Sequence, residues 1–190
     1  VSPEERAPFV LQAREDMVNF YQARAAELRS GGKLLVQVFG RNDQYDTGNG
    51  IVDGLSDAML DMVNAGQVTS DVYEKFVFPV FYRSLEELLP PPGENEASLA
   101  FRVDKAEARE CRVPFNEEFA RTGDSRVWAE SFGGFIRAFS EPVVAAGLPN
   151  TPDRPQLVEE LYRRMVNRFA SDPDRYEFHF ISLGALLTRM

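Results

Sequence analysis

Cysteine and histidine are almost missing from this 190-residue chain: Cys111 is the one cysteine and His179 the one histidine. A single thiol forms no intrachain disulfide and no thiolate zinc site. A Ser-His-Asp or Cys-His set would have to use the lone imidazole, which sits in the run Tyr176–Ile181 and reads as a strand residue. With no nucleophile elbow either, hydrolase chemistry of that type is disfavoured. Basic residues are also scarce: 21 Lys+Arg stand against 30 Asp+Glu, a net charge of −9. Nucleic acids and anionic membrane surfaces recruit Lys and Arg, so neither is expected as a partner. The longest apolar stretch, Phe178 to Leu187, falls well short of the ~20 residues of a spanning helix. The opening Val-Ser-Pro-Glu-Glu-Arg has no signal pattern and no initiator Met, so the expectation is a cytoplasmic chain that is trimmed or a fragment.

Apolar residues, in contrast, are plentiful at 44%, and 15 of the residues are Phe. That load excludes a disordered class and suits both a core and a pocket for an apolar ligand. A chain of this length buries roughly 70% of its unfolded surface, enough for one cooperative core. Residues 8–29 read as an amphipathic helix through Phe9, Ala13, Met17, Phe20, Tyr21 and Leu28, stopped at Gly31-Gly32. Lys33–Phe39 is a nearly continuous apolar run, which predicts a strand covered on both faces. Gly40–Gly50 is the loop at its carboxyl end, where open α/β sheets place ligands.

A helix is predicted over 51–65, ended by Gly66, and a short one over 71–75 capped by Ser70. Phe76–Phe81 holds Pro79 and reads as an extended lining segment; Ser84 caps a turn that Pro90 to Gly93 terminates. Leu99, Phe101 and Val103 alternate as a strand, and 109–124 reads as loop. Ser125–Ala146 is an aromatic-rich helix containing Pro142, followed by a periodic helix over 156–170 and a final long strand over 176–187. The sum is an α/β fold of three strands and five or six helices.

Motifs for dinucleotide, P-loop and zincin chemistry are absent. Asp53, Asp57 and Asp61 recur four apart, which a solvated stripe explains; further oxygen ligands for a metal cannot be placed. Gly133-Gly134 suits close helix packing. Phe76, Phe78, Phe81 and Tyr82 along one segment, and Trp128, Phe132, Phe135 and Phe139 along one helix, are core residues of which a few could wall a small-molecule site.

The segment ARAAELRSGGKLLVQVFGR (Ala23–Arg41) resembles a stretch of the SAM-dependent carboxyl methyltransferases of the plant SABATH type, matching at Arg24, Ala25, Glu27, Leu28, Gly31, Gly32, Gly40 and Arg41. LSDAMLDMVNAGQV (Leu55–Val68), FVFPVFYRSLEE (Phe76–Glu87) and RAFSEP (Arg137–Pro142) follow in the family's order. The resemblance implies only the carboxyl-terminal half of such an enzyme. The fold is then the C-terminal edge of a Rossmann-like class I methyltransferase sheet, its last three strands mixed, with a helical cap. The final strand is expected antiparallel and inserted between the other two. Residues 1–40, 97–110 and 155–190 would form the sheet-plus-helix part, and 41–96 and 111–154 the cap that binds the acceptor.

The resemblance assigns Val52, Phe81, Ile136 and Phe178 to acceptor-pocket positions, and the aromatic helix adds Trp128. Phe81 stands for the family's Tyr, and Val77 for an Asn near which some relatives bind magnesium, so no metal is expected. S-adenosyl-L-methionine (SAM) is the implied cofactor, its site expected mainly outside this chain, and no catalytic side chain is assigned. The expected function is therefore the acceptor-binding part of a methyltransferase for a small carboxylate or a related O or N acceptor. The alternative is a non-catalytic small-molecule-binding or dimerisation module derived from that fold. The Lys33–Phe39 edge predicts a homodimer, or association with the missing N-terminal half.

Overall fold

A computed structural model describes residues 3–90 and 100–190. Pro91, Pro92, Gly93 and Leu99, read above as a terminator and a strand start, lie outside the described residues. The elements run α1 (Pro3–Glu27), β1 (Lys33–Phe39), α2 (Asn49–Asn64), α3 (Ser70–Lys75), α4 (Leu85–Leu88), β2 (Phe101–Cys111), α5 (Pro114–Thr122), α6 (Ser125–Gly147), α7 (Arg154–Ser171), a 3₁₀ turn (Pro173–Tyr176) and β3 (Phe180–Arg189). No helix among the described residues is long and apolar enough to cross a membrane. They cluster into two compact units, the first from Val1–Thr47, Phe81–Cys111 and Phe180–Met190, the second from Gly48–Val80 and Arg112–His179.

The first unit is a three-stranded sheet in the order β1-β3-β2. β3 is antiparallel to both neighbours, with Leu35 opposite Leu186 on one side and Ala106 opposite Ala185 on the other. The last strand thus lies in the middle, as the resemblance implied, and β1 and β2 run the same way on either side of it. Leu183, Ala185 and Leu187 of β3 form a core with Tyr21, Leu88 and Phe101. The Tyr21 hydroxyl donates to the Leu88 carbonyl at 2.6 Å, and burial pushes its pKa up to about 12.

Local chemistry shapes two connections in this unit. α1 ends at Glu27, two residues short of the expected Arg29, and Gly31 in the turn beyond it adopts φ +80°, a conformation in which Cβ is costly. α4 opens on Ser84, whose Oγ accepts from Glu87 N while Glu87 Oε2 takes the Ser84 N–H.

β1 departs from expectation. Exposed and half-buried positions alternate along it, and Leu35 is 69% exposed. β1 is an edge strand paired with β3 alone among the described residues, so one face packs on the core and the other is open. α1 also begins earlier than its periodicity suggests, and Phe9 and Leu11 are exposed.

The second unit is helical. α6 packs on α7, and α2 packs on α7. Two glycines permit the close approach: a Cβ at Gly133 would stand 2.4 Å from Val166 Cγ2, and one at Gly54 2.5 Å from Phe169. Gly134 meets no such neighbour. Region 109–124 is not a loop: β2 runs on to Cys111, and α5 starts at Pro114, whose ring suits the first helical turn. The final strand starts at Phe180 and not at Tyr176, because Pro173–Tyr176 forms a 3₁₀ turn held by Asp172. At α3 the cap position falls on Thr69, one residue before the Ser70 the sequence suggested.

Candidate functional site

Aromatic chemistry in the second unit centres on Phe132 of α6. Its ring stacks on Phe169 at 4.8 Å, lies 4.8 Å from Phe178, and lies 5.5 Å from both Phe115 and Trp128. Such offset pairs add stability beyond the area they bury. Asn116 ties the cluster together: it accepts from Trp128 Nε1 at 2.9 Å and donates to the Phe178 carbonyl at 2.7 Å. Trp128, Ile136 and Phe178 are all buried. Trp128 and Phe178 are brought together through Phe132, and their rings meet other protein rings. Val52, on α2, is 43% exposed.

Phe81 belongs to the first unit and is half-buried, with the guanidinium groups of Arg6 and Arg83 5.9 and 5.6 Å from its ring centroid. It lines a cavity of about 330 Å³ whose other walls include Val10, Ala13 and Met17 of α1 and Leu89. Sequence reasoning singled out Phe81 but missed this setting. Ala13 and Met17 show only the periodicity of an ordinary helix face, and Arg14 reads as a solvated residue. Asn116 carried no local signal at all, because its partners are 12 and 62 residues away in the chain.

Two of the three aspartates of α2 depart from a solvated stripe, while Asp53 is exposed. Asp57 accepts from Tyr176 Oη at 2.7 Å and from Arg175 at 2.7 Å, and Asp61 is held by two nitrogens of Arg168 at 2.6 and 2.7 Å. Burial opposes ionisation of Asp57, but the Tyr176 and Arg175 hydrogen bonds overcome it and hold its pKa below the usual value; the Arg168 hydrogen bonds lower that of Asp61. Asp53 moves the other way, raised by burial and by the charge on Asp57. This network joins α2 to α7 and the 3₁₀ turn. His179 lies beside Glu177, with Nε2 2.9 Å from Oε1.

At the carboxyl end of β1, side chains of the loop Gly40–Thr47 organise its backbone. Thr47 Oγ1 donates to Gly40 O at 2.8 Å and accepts from Ile181 N at 2.9 Å. Asn42 Oδ1 accepts from the Gln44 and Tyr45 backbone, and Arg41 pairs with Glu87. Arg41 Nε is buried without a partner, and Asp43 is exposed.

Comparison with known proteins places these features in context. The family model described as SAM dependent carboxyl methyltransferase matches residues 2–190. A "Probable caffeine synthase 2" of Camellia sinensis is 26% identical over 173 residues, which cover 90% of this chain and 44% of that protein. An "O-methyltransferase acrG" of Aspergillus aculeatus is 26% identical over 206 residues, covering 94% and 54%. A solved structure, "Loganic acid methyltransferase with SAH", superposes with a TM-score of 0.70 at 17% identity, over 93% of this chain and 47% of that one. The chain therefore spans about half the length of the relatives it matches.

Proposed function

Because the chain belongs to the SAM-dependent carboxyl methyltransferase family, we propose that it is the C-terminal, acceptor-binding part of an enzyme that methylates a small molecule. The observation that carries this reading is the family match, which runs through residues 2–190 while the relatives are about twice as long. The acceptor class is a carboxylate or a related oxygen or nitrogen nucleophile. The named relatives support that breadth, since they include a loganic acid methyltransferase and a caffeine synthase.

The methyl donor is SAM, and its electrophilic sulfonium supplies the reactive methyl group. In this reading the donor site lies on the portion of the relatives that this chain does not span. The residues of this chain then bind and orient the acceptor and exclude water, which is how a transfer without a side-chain nucleophile gains rate. Val52, exposed on α2, contacts the acceptor. Trp128, Ile136 and Phe178 act from the interior, fixing the helices that carry the pocket wall. The sheet-plus-helix part takes residues 1–40, 97–110 and 155–190, and the cap takes 41–96 and 111–154.

Isothermal titration of the chain with SAM and with S-adenosylhomocysteine tests this placement. The expected result is no binding in the micromolar range. A clear 1:1 micromolar isotherm would overturn it.

The other reading, a non-catalytic binding or dimerisation module, draws its support from the open face of β1, where Leu35 and Phe39 are exposed.

A further inference from the structure

Little attaches α5 to the rest of the helical unit. None of its nine residues is buried: Phe115, Asn116 and Phe119 are half-buried, and the others face solvent. Those three share one helix face, at positions i, i+1 and i+4. The Phe115 ring lies 5.5 Å from Phe132, 6.0 Å from Phe178 and 6.2 Å from Phe135, and Phe119 lies 5.5 Å from Trp128. Asn116 makes the hydrogen bonds that join α5 to Trp128 and to the Phe178 carbonyl. The charged side chains of α5 pair locally, Glu117 with Arg112 and Glu118 with Arg121.

A nine-residue helix does not sustain itself. Isolated helices shorter than about 12–15 residues are marginal in water, because one nucleation cost is set against few hydrogen bonds. The helical form of α5 therefore depends on the seating of that one face. Gly123 closes the helix at φ +70° with nothing within 4 Å of where its Cβ would stand, and glycine leaves this conformation at little cost. What lies beneath is held by other means. Asp124 caps α6 by accepting from Arg126 N and Val127 N, and Phe132 stacks on Phe169 of α7 at 4.8 Å.

We infer that α5 is a flap: it opens as a unit by local unfolding while α2, α6 and α7 stay packed. Closed, Phe115 and Phe119 cover the rings of Phe132, Phe178 and Trp128. Open, it uncovers them and admits a small molecule to the aromatic cluster. The inference rests on the packing of α5 and is independent of the acceptor reading.

Native-state hydrogen exchange on the 190-residue chain, read residue by residue by NMR, tests it. The amides of Glu118–Thr122 should open about a hundredfold more readily than those of α6 and α7, with little dependence on denaturant, as a local event requires. Gly123→Ala places a Cβ in the left-handed region and should speed α5 exchange about fivefold, leaving α6 and α7 at parental rates. In the same variant acrylamide should quench Trp128, the one tryptophan and 3% exposed, more than in the parent. Asn116→Leu should speed α5 exchange about tenfold by removing both tethers. If either variant lacks a cooperative thermal transition, the parental exchange profile decides alone. Equal protection of α5, α6 and α7, a shared denaturant dependence, or folded variants that leave α5 exchange at the parental rate each overturn the inference. Neither SAM nor an acceptor enters the measurement, so its failure is distinct from a failure of the donor-site titration.

Discussion

Thr47 is one of few polar side chains closed off from solvent, and its hydroxyl joins the end of β1 to the start of β3. Replacing it with valine keeps the shape but leaves the Ile181 N–H and the Gly40 carbonyl without that partner. A buried group so orphaned costs about 1–3 kcal/mol, and Thr47→Val should lower the denaturant midpoint accordingly. An unchanged midpoint in chemical denaturation would show that the hydroxyl is dispensable. Gly54 makes a steric counterpart: a Cβ there meets the Phe169 ring at 2.5 Å, inside the aromatic cluster. Gly54→Ala should destabilise by about 1–3 kcal/mol through overpacking, despite the higher helix propensity of alanine. Neither effect was legible in the sequence. Thr47 sits in a stretch that reads simply as polar loop, and the constraint on Gly54 comes from a ring 115 residues further along the chain.

Some elements with local causes were read well, and those with distant causes were not. The Gly66 stop and the Ser84 cap rest on backbone conformation and neighbouring groups, and both appear where the sequence puts them, whereas α1 ends at Glu27, short of the Gly31 turn. Asp57 and Asp61 look like part of a solvated stripe because their arginine partners lie more than a hundred residues away. β1 shows the same limit, since an apolar run does not say whether both faces are covered. Its outer edge and the exposed Leu35 and Phe39 supply the surface on which the association proposal rests. Light scattering coupled to size exclusion should give a mass near twice 21.5 kDa at high concentration, and Leu35→Lys should return it to the monomer mass. A parent protein that stays monomeric throughout removes this proposal.

At the scale of the whole molecule, acid stability follows from the paired carboxylates. Asp57, Asp61 and Asp104 have lowered pKa values, and the Arg163 and Arg164 partners bring Glu160 down to about 2. Each is lower folded than unfolded. Their contribution is therefore fully present above the ordinary carboxylate range near pH 4 and fades as pH falls through the folded values. Asp53 has the opposite sign: its folded pKa is raised, so its charge works against the fold at neutral pH. Thermal melts should show a loss of stability below about pH 4. At pH 7, Asp53→Asn should raise the melting temperature and Asp57→Ala lower it, with both differences shrinking in acid. The same sign for the two variants would contradict the assigned network. The position of β3 has one more consequence, for the order in which the protein can assemble. Its residues are synthesised after both of its neighbours, and among the described residues β1 and β2 pair with it alone. On the ribosome, β1 and β2 therefore gain this pairing only once β3 emerges, a window in which a chaperone or a misfolded encounter competes for them.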